Sequence, residues 1–173
     1  MGIFKEQLKQ VKAFAFDVDG VFTNGTIHVF ADGSQMRAMN VKDGYATHFA
    51  AKKGYPIAII TGGKCQSVIK RFNDLGVFDV YIASHNKIHD YENFLKKHNL
   101  SDADVLYVGD DLPDYNVMKR AGLCACPSDA AYEIQEISDY ISDKQGGCGC
   151  VRDIIEQTLR AHGTWLDSDA FVW

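Results

Sequence analysis

The sequence predicts an α/β fold, a Rossmann-like doubly wound and mostly parallel sheet wrapped by helices. Three observations carry that expectation. Short apolar runs recur along the chain, segments with helical apolar spacing separate them, and glycine or aspartate bounds the runs.

Taken in order, the runs are VKAFAF (11–16), YPIAII (55–60), DVYIA (79–83), DVLYVG (104–109) and LCAC (123–126), each read as a buried strand. DYIS (139–142) is read as one further strand. Between them, ATHFAAKKG (46–54), CQSVIKRFNDLG (65–76), KIHDYENFLKKHN (87–99) and PDYNVMKRAG (113–122) carry the i, i+3, i+4 spacing of helices. Three of these four end on glycine, the usual helix stop. One stretch breaks the alternation. Residues 26–40, TIHVFADGSQMRAMN, follow the strand period around Asp32-Gly33, a hairpin-turn signal. No linker or repeat divides the chain, so residues 1–173 are expected to form a single domain. The tail from Thr164, with Trp165, Phe171 and Trp173, has no place in the sheet and is too apolar for water. It is expected to pack on this subunit or on a neighbour.

Composition narrows the function classes. Hydrophobic residues make up 46% of the chain, which excludes disorder, and the net charge of -5 offers no basic footprint for nucleic acid. No run approaches the roughly 20 apolar residues that span a bilayer, and MGIFKEQLKQVK lacks the apolar core of a signal peptide. A cytoplasmic protein is expected, with neither membrane nor nucleic acid as partner. The five cysteines at 65, 124, 126, 148 and 150 then need no pairing. Cys124-Ala-Cys126 and Cys148-Gly-Cys150 have one intervening residue each, a poor match to structural zinc, so they are read as thiols of a strand and of a glycine loop.

Chemistry gathers just past the strands, where ligands bind in an open parallel sheet. Asp17 and Asp19 follow the first run, Thr61-Gly62-Gly63 follow IAII, Lys87 follows DVYIA, and Asp110, Asp111 and Asp114 follow LYVG. Clustered carboxylates repel unless a hard cation such as Mg²⁺ receives them, and Mg²⁺ keeps sites for a phosphate. One carboxylate can attack phosphorus, and a second can protonate the leaving oxygen and then activate water. A threonine hydroxyl, glycine amides and a lysine would hold the phosphoryl oxygens. Singly, each residue has a plainer role as a cap, a turn or a solvated helix residue. Their joint occurrence at strand ends is what points to catalysis.

These residues resemble the four motifs of the haloacid dehalogenase superfamily. Asp17-Val18-Asp19-Gly20 is similar to the first, Thr61 to the second, Lys87 to the third and the acidic run Gly109–Asp114 to the fourth. The resemblance implies a nucleophile at Asp17, a general acid/base at Asp19, phosphate-binding groups at Thr61, Gly62 and Lys87, and Mg²⁺ held by Asp17, Asp19 and Asp110.

Too few residues separate Asp19 from Thr61 for a folded cap, so the hairpin is left to cover the site. That pattern resembles the capless subfamily of phosphatases acting on 3-deoxy-D-manno-octulosonate 8-phosphate and on nine-carbon sialic-type 9-phosphates. Lys42-Asp43-Gly44, Leu75-Gly76, Gly146-Gly147-Cys148-Gly149 and Val151-Arg152-Asp153 add to the likeness. The subfamily implies a homotetramer whose neighbouring subunits cover the active site, and Arg71 as the residue that meets the substrate carboxylate across a subunit boundary. Position 63, often arginine in the octulosonate enzymes, is glycine here, and the glutamate and lysine of the nine-carbon pattern are replaced by Gly63 and Asp74. The absence of the second pattern favours the eight-carbon sugar-acid phosphate, a substrate of lipopolysaccharide synthesis, with the nine-carbon acid as alternative. A non-catalytic α/β binding module is the rival from another class. An intact Asp17/Asp19 pair argues against it.

Overall fold

A computed structural model describes residues 2–171 of the protein. The chain begins with helix α1 (Gly2–Gln7) and enters the sheet at β1 (Ala13–Phe16), shorter than the predicted run because Val11 closes a 3₁₀ turn by donating to Leu8 O. A hairpin, β2 (His28–Val29) and β3 (Gln35–Met36), follows. The remaining elements are α2 (Val41–Lys52), β4 (Ile57–Ile60), α3 (Gln66–Asp74), β5 (Asp79–Tyr81), α4 (Lys87–His98), β6 (Val105–Val108), α5 (Tyr115–Met118), β7 (Leu123–Cys126), α6 (Tyr132–Ile137), β8 (Tyr140–Ile141) and α7 (Cys150–Ala161).

The main sheet runs β5-β4-β1-β6-β7-β8, and every neighbouring pair is parallel. From β1 the chain moves outward through β4 and β5, then crosses back to β6 on β1's other side. The reversal places the crevice at the carboxyl end of β1, where such sheets bind ligands. All four residues of β1, β4, β6 and β7 are buried, as expected where helices cover both faces.

Alternation sorts those residues into two cores. Phe14, Phe16, Ile57, Ile59, Leu106 and Val108 face one layer with Phe49 of α2, Phe72 of α3 and Ile154 of α7. Ala13, Ala15, Ala58, Ile60 and Tyr107 face the other with Tyr91 and Phe94 of α4, Val117 of α5 and Ile134 of α6.

The structure corrects several expected boundaries. Helix α2 starts at Val41, five residues before the predicted segment, because the Asn40 side chain accepts Lys42 N–H and caps it. The segment 113–122 holds one short helix behind a 3₁₀ turn, Leu112–Asp114. Cys150, read as a loop residue, is the buried first residue of α7, whose Val151, Ile154, Ile155, Thr158 and Leu159 supply a helical stripe the sequence reading passed over. Cys124 and Cys126 do lie in a buried strand, and all five thiols are unpaired.

The hairpin forms with His28 opposite Met36. The tail folds back onto its own subunit. Trp165 is buried edge-on against Phe49, with ring centroids 5.7 Å apart, and under the Arg152 guanidinium at 5.2 Å. Lys53 pairs with Asp167 at 2.5 Å and Asp169 at 2.7 Å. Trp173 lies outside the described residues.

Candidate active site

At the end of β1, Asp17 N–H donates to Val108 O at 3.0 Å, so the residue is fixed by the ladder to β6 while its side chain points past the sheet. The chain then turns, with the amides of Val21, Phe22 and Thr23 all donating to Val18 O. Gly20 takes φ +89°, and a Cβ there would collide with the Asp110 carboxylate, so glycine lets the first and last motifs close on one another.

A second device braces that turn. Gly146 packs so closely on Gly20 O and Thr23 O that a side chain would overlap them, and Gly147 N–H donates to Val21 O at 2.9 Å. The buried Asp43 of α2 accepts Gly149 N–H at 3.2 Å and Arg152 N–H at 2.7 Å. Thus the Lys42-Asp43-Gly44 segment and the glycine loop, far apart in sequence, meet behind the first motif.

Lys87 opens α4, where the helix dipole disfavours a cation. Two carboxylates reverse that: its ammonium lies 2.9 Å from Asp17 Oδ1 and 2.7 Å from Asp114 Oδ1. Burial alone would lower the lysine pKa, and the Asp17 and Asp114 charges with their hydrogen bonds raise it overall. Tyr107 OH also donates to Asp114 Oδ1, at 2.6 Å. The loop before α4 is tied to the second motif, Ala83 N–H donating to Gly63 O at 2.8 Å and Ser84 N–H to Thr61 O at 3.0 Å, with Ala83 held at φ +54°. Thr61 is buried, and its Oγ1 accepts Gly63 N–H at 3.1 Å, which leaves the hydroxyl hydrogen for an incoming oxygen.

One ligand atom each from Asp17, Asp110 and Asp114 lie within 4.8 Å of one another. Among the described residues, the one ammonium paired with this cluster is that of Lys87, on Asp17 and Asp114. Burial, then the Asp114 charge, pushes the Asp17 pKa up to about 7 against the opposing pull of Lys87. Burial, then the Asp17 and Asp114 charges, pushes Asp110 up to about 8. Asp110 Oδ1 is buried without a hydrogen-bond partner. An orphaned oxygen among repelling carboxylates fits a hard divalent cation such as Mg²⁺, which would supply the missing partner.

Asp19 stands apart from that cluster. Its Oδ1 accepts Arg37 Nε–H at 2.7 Å and its Oδ2 accepts Arg37 Nη2–H at 3.0 Å, and the three carboxylates that gather are those of Asp17, Asp110 and Asp114. A cavity of about 620 Å³ opens beside this pair, lined by Ile27 and Gln35 of the hairpin region, Arg37, and the loop from Gly62 to Cys65. Arg71 of α3 is outside that lining; its guanidinium covers Gly44 in the first turn of α2.

Sequence reasoning missed Arg37 and Tyr107. Arg37 had one available signal, a basic residue at the base of a hairpin facing the first motif. Tyr107 had none, since an aromatic in a buried strand reads as packing.

The family model for haloacid dehalogenase-like hydrolases matches residues 73–153. A 3-deoxy-D-manno-octulosonate 8-phosphate phosphatase of Salmonella typhi is 35% identical over 155 residues, 90% of this chain and 82% of the relative. One of Yersinia pestis is 31% identical over 156 residues, 90% of this chain and 83% of the relative. Among solved structures, the phosphatase of the same description from Moraxella catarrhalis, in complex with a magnesium ion, a phosphate ion and a KDO molecule, matches with a TM-score of 0.90 at 32% identity, covering 93% of this chain and 92% of that one. With the parallel sheet, the acidic cluster and matches spanning nine-tenths of its length, this chain belongs to the haloacid dehalogenase-like hydrolases, in the family of the 3-deoxy-D-manno-octulosonate 8-phosphate phosphatases.

Proposed function

We propose that this chain hydrolyses 3-deoxy-D-manno-octulosonate 8-phosphate to 3-deoxy-D-manno-octulosonate and phosphate, as a Mg²⁺-dependent phosphoric monoester hydrolase serving lipopolysaccharide synthesis. The observation that carries the chemistry is the buried Asp17 carboxylate, held by Lys87 beside an Asp110 oxygen that has no partner. The substrate rests on the curated relatives and on the Moraxella catarrhalis structure.

Asp17, Asp19 and Asp110 are proposed to hold the Mg²⁺, Asp19 through an atom other than the carboxylate oxygens that Arg37 grips, with Asp114 completing the acidic cluster around them. Bound there, the ion supplies charge neutralisation for the carboxylates and the phosphoryl oxygens. Asp17 acts as nucleophile: one of its oxygens bonds to phosphorus while the bond from phosphorus to the sugar oxygen breaks. The departing oxygen takes that electron pair and a proton from Asp19. In the second half, Asp19 as carboxylate takes a proton from water, the water oxygen bonds to phosphorus, and the electron pair of the breaking bond returns to Asp17. Lys87, the Thr61 hydroxyl and the backbone at Gly62 hold the phosphoryl oxygens through both halves.

We read residues 1–173 as one phosphatase domain, supported by the single six-stranded sheet. A cytoplasmic homotetramer is supported by the five free thiols and by the exposed Ile27, Val29, Phe30 and Met36 on the hairpin, which suit burial against neighbouring copies that cover the site. No described helix is long and apolar enough to cross a membrane. Arg71, half-buried beside Gly44, is proposed to meet the substrate carboxylate from a neighbouring subunit.

The test is phosphate release, with and without Mg²⁺, from 3-deoxy-D-manno-octulosonate 8-phosphate, a nine-carbon 9-phosphate and simple sugar phosphates. A metal-dependent preference in kcat/KM for the eight-carbon acid is expected. Preference for the nine-carbon acid would move the substrate, and release from none would revive the binding module.

A further inference from the structure

Arg37 follows β3 at the base of the hairpin, yet its side chain is only 5% exposed while Val29 across the hairpin is 67% exposed. It is drawn inward by Asp19, gripping both carboxylate oxygens, while Thr23 Oγ1 approaches Asp19 Oδ1 at 3.4 Å and Gln35 Oε1 accepts Arg37 Nη1–H at 3.3 Å. The guanidinium passes close to position 63, which has no side chain. A Cβ on Gly63 would stand 3.3 Å from Arg37 Nη2 and 3.6 Å from Asp19 Oδ2.

We propose that Arg37 is the positioning residue for the acid/base Asp19. The inference rests on the reading of Asp19 as acid/base given above. A carboxylate beside a wide cavity has two rotatable bonds and no reason to face the leaving oxygen. Two parallel N–H···O bonds remove that freedom at once. Lysine in that place would hold one oxygen at a time.

The test separates proton delivery from the rest of the machinery. kcat/KM covers only the steps through departure of the first leaving group. It is measured for the sugar-acid 8-phosphate, whose alkoxide needs a proton, and for 4-nitrophenyl phosphate, whose leaving group departs without one. Asp19→Asn, Arg37→Ala and Arg37→Lys are compared with the unaltered chain, each checked for an unchanged thermal midpoint and Mg²⁺ dependence. General acid catalysis contributes about 10²–10⁴-fold, so Arg37→Ala is expected to lose roughly 30-fold or more on the sugar phosphate and under about threefold on the aryl ester, with Arg37→Lys in between. If Asp19→Asn shows that contrast and Arg37→Ala does not, the assignment of Arg37 is overturned. Equal losses of Asp19→Asn on both esters would overturn the acid role itself, and the inference with it.

Discussion

The ammonium of Lys87 stands 2.9 Å from Asp17 Oδ1, joining the first residue of α4 to the first residue past β1. It also holds Asp114, so one cation balances part of a buried three-carboxylate cluster. Removing it with Lys87→Met leaves Asp17 and Asp114 buried against each other. Breaking a buried pair by removing one partner costs about 3–5 kcal/mol. Thermal unfolding at neutral pH should show a loss of that order together with loss of turnover. A variant as stable as the unaltered chain would mean that the pair is solvated in solution.

Raised carboxylate pKa values give a sign to the pH dependence of the metal-free protein. Asp17 at about 7 and Asp110 at about 8 both lie above the ordinary 3.8, so the folded state binds more protons than the unfolded chain between about pH 4 and 8. These two groups therefore stabilise the fold least at the upper end of that window. Mg²⁺ competes with the same protons, and its stabilisation should be larger at pH 8 than at pH 6. At a hundredfold excess over Kd a ligand adds about 2.7 kcal/mol, roughly 5–10 °C for a chain of this size. Calorimetry with and without Mg²⁺ at the two pH values checks it; an equal shift at both would contradict the carboxylate cluster as the binding site.

The glycine loop makes a prediction that separates bracing from folding. Gly146→Ala drives a methyl group toward Gly20 O and Thr23 O, behind the turn that carries Asp19. Overpacking of this kind costs about 1–3 kcal/mol. Because the strain falls on the catalytic turn, kcat should fall by more than tenfold while the far-ultraviolet spectrum is kept. Unchanged turnover would show that the turn tolerates the displacement.

Trp165 offers the opposite contrast. It is buried among Tyr45, Phe49 and Arg152, far in sequence from the four motifs. Trp165→Ala should cost about 3–5 kcal/mol of stability. Mg²⁺ affinity should be retained at temperatures where the variant is folded, and isothermal titration would read it.

Much of this was legible in the sequence because the first-order signals are local. Strand runs bounded by aspartate or glycine placed Asp17, Thr61, Lys87 and Asp110 at one sheet edge, and Asp32-Gly33 marked the hairpin. What escaped depends on side-chain direction. Asp19 turns to Arg37 because a guanidinium 18 residues away reaches both its oxygens, and Asp114 turns into the carboxylate cluster because Lys87 and Tyr107 draw it there. No periodicity reports either choice. Helix α7 escaped for another reason: the glycine loop before it masked a start that Asp43, from α2, caps across the fold.

The most direct measurement is chemical trapping at Asp17. The enzyme is mixed with Mg²⁺ and 3-deoxy-D-manno-octulosonate 8-phosphate, quenched in acid during turnover and reduced with borohydride, which converts an acyl phosphate on aspartate to homoserine. Peptide mass spectrometry should find homoserine at position 17, absent in Asp17→Asn and absent without substrate. Turnover with aspartate unmodified at 17, or homoserine at Asp19 or Asp110 instead, would contradict Asp17 as the nucleophile.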